Sequence, residues 1–324
     1  MAKIYKYNIN GDYLSSYENS TMAAAELGCD ESTIRKAASR DKIAKGFLWK
    51  TEVEDIDSPF TPKKLPKILV LDIETAPLLG YVWSLWKQNI YDQQLVSDWF
   101  MLTWSAKWLF GENTYSDRLT GKEAKAQYDK RIVSSLRSLL DEADIIIAHN
   151  GKKFDVPKIN ARMVYHDLKP VSPYQQVDTL LTARKEFGFS SNKLNALGKM
   201  FGFGEKIDTT FELWSKCMNG DTSALIEMET YNKRDVDLLE SVYLKMRPWI
   251  KLHPNIGLFL ESDSEKCGNC GGNVVLIKGK YYYTSVGKFQ TYRCTNKDCG
   301  AISRGRKSVY DKVKRNNLIV GIAR

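Results

Sequence analysis

Two short apolar runs, each leading into acidic residues, constrain the fold of this chain more than any other feature of the sequence. The first run covers residues 68–71 and leads into Asp72 and Glu74, and the second covers residues 145–147 and precedes Asp155. A continuous apolar run of this length is typical of a strand that is buried on both faces. Because strands come first and helical patterns then alternate with strands, the sequence predicts an α/β fold, with a mixed sheet flanked by helices.

The remaining pattern between residues 67 and 251 predicts the neighbours of these two strands. The stretches FMLTWSAKWL and NTYSDRL indicate two further strands, which we expect to be antiparallel neighbours. Helical spacing predicts one continuous helix from Glu123 to Glu142. Four more helices are expected, at residues 156–165, 178–187, 192–201 and 222–246.

Changes of pattern divide the chain into three predicted parts. Residues 1–54 have the pattern of a small α+β module, and residues 55–66 contain three prolines and are expected to be a linker. Residues 67–252 form the predicted α/β domain. Residues 264–324 carry two cysteine pairs and a basic tail.

The positive charge of the chain is concentrated at its C-terminal end. The whole chain has a net charge of +9, whereas residues 264–324 alone hold 13 Lys and Arg against 3 Asp and Glu. Such a segment is expected where a protein meets a polyanion, and the alternative is a solvated tail that only aids solubility. The sequence has no run of 18 apolar residues and no signal-peptide pattern, so we expect a soluble, intracellular (cytoplasmic) protein with no membrane partner.

The N-terminal part predicts a hairpin followed by two helices with helix-turn-helix spacing. Its turn is expected at residues 10–12, Ser20 or Thr21 is the expected cap of the first helix, and Gly28 is expected to end it. Arg35 and Lys36 on the second helix are candidate DNA contacts. This part resembles the NUMOD-type DNA-binding modules of homing nucleases. It has equal numbers of basic and acidic residues, so the alternative is a helix pair used only for packing.

Asp72 and Glu74 stand two residues apart on the first predicted strand. Both side chains therefore leave the same face, roughly 6.5–7 Å apart along the strand. Two carboxylates at that separation can share a hard cation, although the D-x-E pattern alone is frequent. An unpaired carboxylate is costly to bury, and sites of α/β sheets gather at strand ends, so the pair indicates a functional role.

Two later motifs add further carboxylates. Asp155 is expected at the start of a helix, where a simple N-cap is the alternative reading. Asp235 is predicted on a helix, with Tyr231 one turn earlier at i−4, so both side chains face the same way. Asp237 is only two residues further on, faces elsewhere and is the weaker candidate for a ligand.

In combination, these motifs resemble those of the DEDD superfamily of 3′→5′ exonucleases, which have a ribonuclease H-like fold. The motifs are D-x-E, N-x3-F-D and Y-x3-D, and their residues here are Asp72, Glu74, Asn150, Phe154, Asp155, Tyr231 and Asp235. The tyrosine marks the DEDDy subclass, and the first two motifs are most similar to the proofreading domains of family B DNA polymerases. The resemblance covers residues 67–252.

The resemblance implies two Mg²⁺ or Mn²⁺ ions. Asp72 would bridge them, Glu74 and Asp235 would complete one site, and Asp155 would serve the other. Tyr231 would orient the attacking water, since a phenol with a pKa near 10 is a poor base at neutral pH. The implied reaction is metal-dependent 3′→5′ hydrolysis of phosphodiester bonds.

The favoured substrate is a single-stranded 3′ end of DNA, with Asn150 and Phe154 as candidate contacts to the nucleic acid. An RNA exonuclease or a structure-specific nuclease would use the same carboxylates. A non-catalytic nucleic-acid-binding protein is disfavoured, because every carboxylate of the motifs is present. The sequence identifies no protein partner.

Two cysteine pairs predict a zinc ribbon. The pairs are spaced C-x2-C and C-x4-C, each is followed by a glycine that allows a tight turn around the metal, and 23 residues separate them. In an intracellular chain this spacing favours one structural Zn²⁺ over disulfides. The predicted ligands are Cys267, Cys270, Cys294 and Cys299.

Aromatic and basic side chains alternate between and after the cysteine pairs. Rings can stack on unpaired bases and cations can contact phosphates. The candidate nucleic-acid contacts here are Lys280, Tyr282, Lys288 and Arg293. The alternatives are a ribbon that docks a protein and a metal that only holds a small fold together.

Overall fold

The computed structural model describes residues 3–7, 13–40, 42–51, 65–204 and 209–322. It divides into two compact units, Met1–Lys64 and Leu65–Arg324. Most of the predicted linker at residues 55–66, and the predicted turn at residues 10–12, lie outside the described residues. The predicted catalytic part and the cysteine-rich part belong to the same unit.

The first unit is an antiparallel sheet with two helices. Its sheet order is β2-β1-β4-β3. The elements are β1 (Ile4–Tyr7), β2 (Tyr13–Tyr17), α1 (Ser20–Glu26), α2 (Glu31–Ala38), β3 (Ile43–Ala44) and β4 (Phe47–Lys50).

The ends of α1 differ in part from the prediction. Gly28 has a φ of +60° and follows the end of the helix, as expected. The predicted cap at Ser20 or Thr21 is wrong, because the Asn19 side chain accepts the Met22 N–H at 3.0 Å and is the N-cap. Trp49 on β4 is fully buried and fills the core of this unit.

The second unit contains the mixed sheet predicted from the two apolar runs. Its order is β11-β10-β5-β8-β9, in which β11, β10 and β5 are parallel and β5, β8 and β9 are antiparallel. The strands β6 and β7 form a separate two-stranded antiparallel sheet. The strands are β5 (Ile68–Thr75), β6 (Leu79–Gly80), β7 (Leu95–Ser97), β8 (Met101–Trp108), β9 (Thr114–Arg118), β10 (Ile145–Ala148) and β11 (Gln175–Asp178).

Helices cover this sheet and include the helix predicted at residues 222–246. Among the described residues, no helix combines the length and the apolar character needed to cross a membrane. Short 3₁₀ turns occur at Asp92–Gln94, Arg247–Trp249 and Ile256–Phe259. The α-helices are α3 (Gly121–Lys125), α4 (Lys130–Glu142), α5 (Asp155–Tyr165), α6 (Thr179–Glu186), α7 (Leu194–Phe201), α8 (Phe211–Met218) and α9 (Thr222–Met246).

The single helix predicted from Glu123 to Glu142 is wrong, because the chain is broken between α3 and α4. Gln127 has a φ of +54°, outside the helical region. Asp129 is fully buried and accepts the Met101 N–H at 2.7 Å. Its carboxylate also accepts from the Arg162 guanidinium at 2.7 Å, so the break places a buried ion pair between the helices and the sheet.

The central strand β5 sends alternate side chains to two different cores. Leu69 and Leu71 pack in the core that includes α4, whereas Val70 packs in the core that includes Val236 and Leu239 of α9. Side chains two residues apart on a strand share a face. Asp72 and Glu74 therefore leave the sheet on the face of Val70, which is the face covered by α9.

The C-terminal part is a three-stranded antiparallel sheet with the order β12-β13-β14. The strand that follows the first cysteine pair, β12, has an irregular register with β13 near Gly279, where φ is +73°. The Asn269 side chain donates to the Arg247 and Ile250 carbonyls just after α9, at 2.7 and 3.2 Å. The elements are β12 (Val274–Thr284), β13 (Gly287–Cys294), β14 (Ile302–Ser308) and α10 (Lys312–Asn316).

Candidate metal centre and adjoining cavity

Three carboxylates meet where β5 faces α9. The ligand atoms of Asp72, Glu74 and Asp235 all lie within 4.8 Å of one another. Asp235 is only 3% exposed, and the two strand residues are half-buried. Negative charges this close repel one another unless a cation or protons offset them. A set of carboxylate oxygens suits a hard divalent cation such as Mg²⁺ or Mn²⁺.

Asn232 belongs to this centre, although the sequence analysis did not select it. Its Nδ2 donates to Oδ2 of Asp72 at 2.6 Å, and the residue is fully buried. It precedes Asp235 by three residues on α9, so both side chains face the strand. That helical spacing, combined with an amide in a buried stripe, is the signal that could have identified it. The amide holds Asp72 in place at the cluster.

Asp155 lies beside this cluster and is bonded to the same strand. Its Oδ1 accepts the Ile73 N–H at 3.2 Å, and only 1% of the residue is exposed. The hydrogen-bonded pairing of β10 with β5 ends at Val70. The Ile73 N–H therefore has no acceptor on β10 and donates to the Asp155 side chain instead. Asp155 is the first residue of α5, whose cap position is Phe154, so it is not the N-cap of the alternative reading.

Burial changes the acidity of this group. Burial raises the pKa of the Asp155 carboxyl from its ordinary value of 3.8 to about 7. The Ile73 N–H opposes the shift, and the nearby Asp178 carboxylate adds to it. A divalent cation that binds Asp155 would therefore displace a proton near neutral pH.

Asp178 shapes the loop that carries the second motif. It caps α6 and also accepts the N–H groups of Asn150 and Lys152, at 3.2 and 3.1 Å. Asn150 has a φ of +72°, a left-handed conformation that asparagine tolerates better than most residues. The loop between β10 and Asp155 is thereby held by a buried carboxylate that the sequence analysis did not select.

Tyr231 is one turn before Asp235 on α9, as predicted. It is 8% exposed, and its ring packs edge-on against Trp214, with the centroids 6.3 Å apart. Asp237 points away from the cluster: it accepts from Lys107 at 3.3 Å and from Thr114 at 3.1 Å. The helix therefore presents Tyr231 and Asp235 on one face and Asp237 on another.

A cavity of about 700 Å³ is lined by Thr75 at the end of β5 and by the residues that follow it. Phe154 is one-third exposed there, and the Lys158 Nζ lies 3.6 Å from the ring centroid of Trp99. Aromatic rings and one ammonium group thus share one wall. The lining residues are Thr75, Ala76, Pro77, Leu78, Trp99, Phe154, Lys158, Phe211 and Trp214.

The four predicted zinc ligands come together in the C-terminal sheet. Their sulfur atoms all lie within 4.8 Å of one another, which fits the four-thiolate set of a structural zinc site. Gly271 and Gly300, after the two pairs, have φ values of +74° and +61°. A hydrogen bond from the Cys270 thiol lowers the pKa of the Cys267 thiol to about 5. The ligands are Cys267, Cys270, Cys294 and Cys299.

The candidate nucleic-acid contacts of the ribbon lie on its three-stranded sheet. Lys280, Tyr282 and Arg293 are exposed. The Lys288 Nζ lies 3.9 Å from the ring centroid of Tyr281, so this cation packs on an aromatic face. None of these residues belongs to the carboxylate cluster. The ribbon is joined to the C-terminal end of α9 by a hydrogen bond from Asn269.

Arg35 and Lys36 lie on α2 of the first unit and are both exposed. The Arg35 Nε is 3.8 Å from the Glu31 carboxylate one turn earlier. An exposed pair of this kind contributes little to stability, so it leaves the guanidinium available to a ligand.

The raised pKa of Asp155 predicts a pH-dependent stability. Without added Mg²⁺ or Mn²⁺, the folded state binds more protons than the unfolded state between about pH 4 and pH 7, so the free energy of unfolding falls as pH rises through this window. We expect Asp155→Asn to lack this decline and to exceed the wild type at pH 8 by on the order of 4 kcal/mol. Urea titrations of both proteins at pH 4 and pH 8 measure the difference, and an equal pH dependence would contradict it.

The cysteine cluster predicts one zinc ion per chain. Cys294→Ser removes one of four ligands, and we expect the purified variant to hold less than half of the wild-type zinc, because a tetrahedral site loses affinity with each thiolate. Elemental analysis measures the content. Cys29→Ser, in the first unit and outside the cluster, is the matched control and should keep the ion.

The family match found by comparison with known proteins lies within the predicted α/β domain. Residues 106–247 match the family model of the RNase_H superfamily. No curated protein matches the chain. Among solved structures, the chain is similar to a family B DNA polymerase from the hyperthermophilic archaeon Pyrobaculum calidifontis, with 16% sequence identity and a TM-score of 0.39. The match covers 68% of this chain and 30% of the polymerase, so the chain spans about a third of that protein's length. The mixed sheet, its flanking helices and the family match identify the fold of the central part of the chain as ribonuclease H-like.

Proposed function

We propose that this protein is a metal-dependent 3′→5′ exonuclease that digests single-stranded DNA from its 3′ end. The observation that carries the proposal is the cluster of Asp72, Glu74 and Asp235, whose ligand atoms lie within 4.8 Å of one another on a ribonuclease H-like sheet. Asp155, bonded to the strand between the first two, supplies a fourth carboxylate. These are the carboxylates of the three DEDD motifs.

Each carboxylate has a place in the proposed reaction. Asp72, Glu74 and Asp235 would hold one ion, and Asp155 together with Asp72 would hold the second. Two such ions lower the pKa of a bound water and offset the negative charge that develops on the attacking and leaving oxygens. Asn232 keeps Asp72 oriented through its 2.6 Å hydrogen bond.

Tyr231 orients the water rather than deprotonating it. A phenol titrates near pH 10 and is a weak base at neutral pH. Its position one turn before Asp235, with the ring fixed against Trp214, lets the hydroxyl donate or accept a hydrogen bond at the site. The proton of the water is released to solvent.

The adjoining cavity suits a terminal nucleotide. Its volume of about 700 Å³ falls within the usual range for small-molecule sites. Phe154 offers a ring face to a base, and Lys158, which packs on the Trp99 ring, offers a cation to a phosphate. The cavity begins at Thr75, one residue after Glu74, so a nucleotide held there has its phosphate close to the carboxylates.

DNA is favoured over RNA by the likeness of the motifs to the proofreading domains of family B DNA polymerases. The N-terminal module, with Arg35 and Lys36 exposed on α2, supports the same choice. The basic ribbon supports a polymeric substrate of either kind, because it adds positive charge to a chain whose first 263 residues carry a slight negative excess.

The direction and the substrate of the reaction can be tested together. With Mg²⁺ or Mn²⁺, we expect 5′-labelled single-stranded DNA to shorten one nucleotide at a time, and 5′-labelled RNA of the same sequence to shorten more slowly. Release of the labelled nucleotide itself at the start of the reaction would contradict 3′→5′ polarity. Faster digestion of the RNA would assign the enzyme to RNA instead.

Single substitutions separate the proposed roles at the centre. Asp72→Ala should reduce nucleotide release to the level of a metal-free reaction, because it removes the shared ligand. Tyr231→Phe should lower kcat by about 10²-fold with little change in KM, since only the orientation of the water is lost. Asp237→Ala, on the outer face of the same helix, is the matched control and should keep wild-type activity. An unchanged kcat in Tyr231→Phe would mean that the tyrosine has only a packing role.

The ribbon should hold the strand electrostatically. We expect the double variant Lys280→Ala, Arg293→Ala to bind single-stranded DNA more weakly at low salt, and its plot of log affinity against log salt to be shallower by about 1.4, for two lost phosphate contacts. Lys297→Ala, in the second cysteine loop and equally exposed, is the control. An unchanged slope in the double variant argues for a ribbon that docks a protein.

A further inference from the structure

The segment between β5 and β8 exposes an unusual number of aromatic side chains. It runs out along β6, forms a loop and returns along β7. In the loop, Trp83 is 93% exposed and Trp86 is 81% exposed, and Tyr81 and Tyr91 are exposed as well. In contrast, Trp49 and Trp104 of the same chain are almost fully buried. Several exposed aromatic side chains in one loop indicate an interaction surface.

Hydrogen bonds give this loop a defined shape. The Tyr81 N–H donates to the Gln94 carbonyl at 2.8 Å, and the Gln94 side chain donates back to the Tyr81 carbonyl at 2.9 Å. Nearer the tip, the Trp83 N–H donates to the Gln88 side chain at 2.9 Å. These hydrogen bonds hold the backbone that carries the rings, which lowers the entropic cost of binding a ligand.

Both ends of the segment line the cavity beside the metal centre. Pro77 and Leu78 lie at its start and Trp99 lies at its end, and all three belong to the cavity wall. Trp83 is five residues from Leu78, which limits the separation of their Cα atoms to about 18 Å. The loop that carries the exposed rings therefore starts and ends at residues of the cavity wall.

The charge of the segment narrows the choice of ligand. Between residues 79 and 98 it carries one lysine and two aspartates, so it does not attract phosphates or anionic lipid headgroups. Aromatic faces still bind unpaired bases, because stacking requires only a π-face and tolerates any sequence. The rings and the charge together fit a single strand whose phosphates point away from the loop.

We infer that Trp83 and Trp86 form a stacking platform for unpaired bases upstream of the nucleotide in the cavity. The inference rests on the proposed function, which places the 3′ end of a single strand at the carboxylates. The platform makes the enzyme prefer strands long enough to reach it, and it distinguishes an unpaired strand from a duplex, whose base faces are covered.

Substrate length tests the platform. We expect the double variant Trp83→Ala, Trp86→Ala to lower kcat/KM on a single strand of about 20 nucleotides by about tenfold for each tryptophan, and to leave cleavage of a dinucleotide unchanged. The salt dependence of binding should stay as in the wild type, because no phosphate contact is lost. An equal loss on both substrates, or no loss on either, would overturn the inference.

Two further variants separate stacking from a general apolar contact. Trp83→Phe combined with Trp86→Phe keeps ring faces and should recover most of the activity on the long strand. Leu85→Ala removes an apolar side chain that is 87% exposed in the same loop but has no ring, and should have no effect. If Leu85→Ala lowers kcat/KM on the long strand as much as the double alanine variant does, the loop is an apolar docking surface for a protein or a membrane, and the platform is excluded.

A binding measurement distinguishes failure of the platform from failure of the proposed function. Fluorescence anisotropy of a labelled single strand, without added divalent cations, reports binding whether or not cleavage occurs. Weaker binding by the double alanine variant supports the platform even if the wild type digests no nucleic acid, which would count against the exonuclease alone. Equal binding by the two proteins overturns the platform even if digestion is normal.

Discussion

The hydrogen bond from the Ile73 N–H to the Asp155 carboxyl group joins two distant motifs of the chain at one point of the sheet. It forms because the pairing of β10 with β5 stops at Val70, which leaves the next N–H groups of β5 to be satisfied by other means. Ile73 lies between Asp72 and Glu74, so the bond brings Asp155 to the carboxylate pair. The bond from Asn232 to Asp72 brings α9 to the same place. The site therefore depends on β5 extending beyond the end of its pairing with β10.

Close packing of carboxylates explains the chemistry expected of the site. The ligand atoms of Asp72, Glu74 and Asp235 lie within 4.8 Å of one another, and negative charges this close repel unless protons or a cation offset them. Burial raises the pKa of the Asp155 carboxyl to about 7, so a proton and a cation compete for this group near neutral pH. A divalent cation would replace the proton and remove the repulsion. The same arrangement that destabilises the metal-free protein therefore favours metal binding.

The sequence predicted the elements with strong patterns and missed the contacts that only tertiary structure creates. The bounds of α9 at residues 222–246 follow from its long periodic pattern, and the order of carboxylate motifs was sufficient to predict the cluster. The break before α4 was missed because a buried ion pair of Asp129 overrides helical spacing there. Asn232 was missed because its partner is 160 residues away in the sequence. The short β11 and α8 carry too little pattern to be recognised from one sequence.

The two proposed surfaces act on different parts of a nucleic acid, the ribbon on phosphates and the aromatic loop on bases, and both depend on the metal centre. Electron paramagnetic resonance of Mn²⁺ titrated into the protein with a bound 5′-mononucleotide tests that centre most directly. The account predicts two ions per chain outside the zinc site, with a spin-coupled signal, and the loss of that coupling in Asp155→Asn. Binding of a single uncoupled ion, or of none, in the wild type would contradict the two-metal centre.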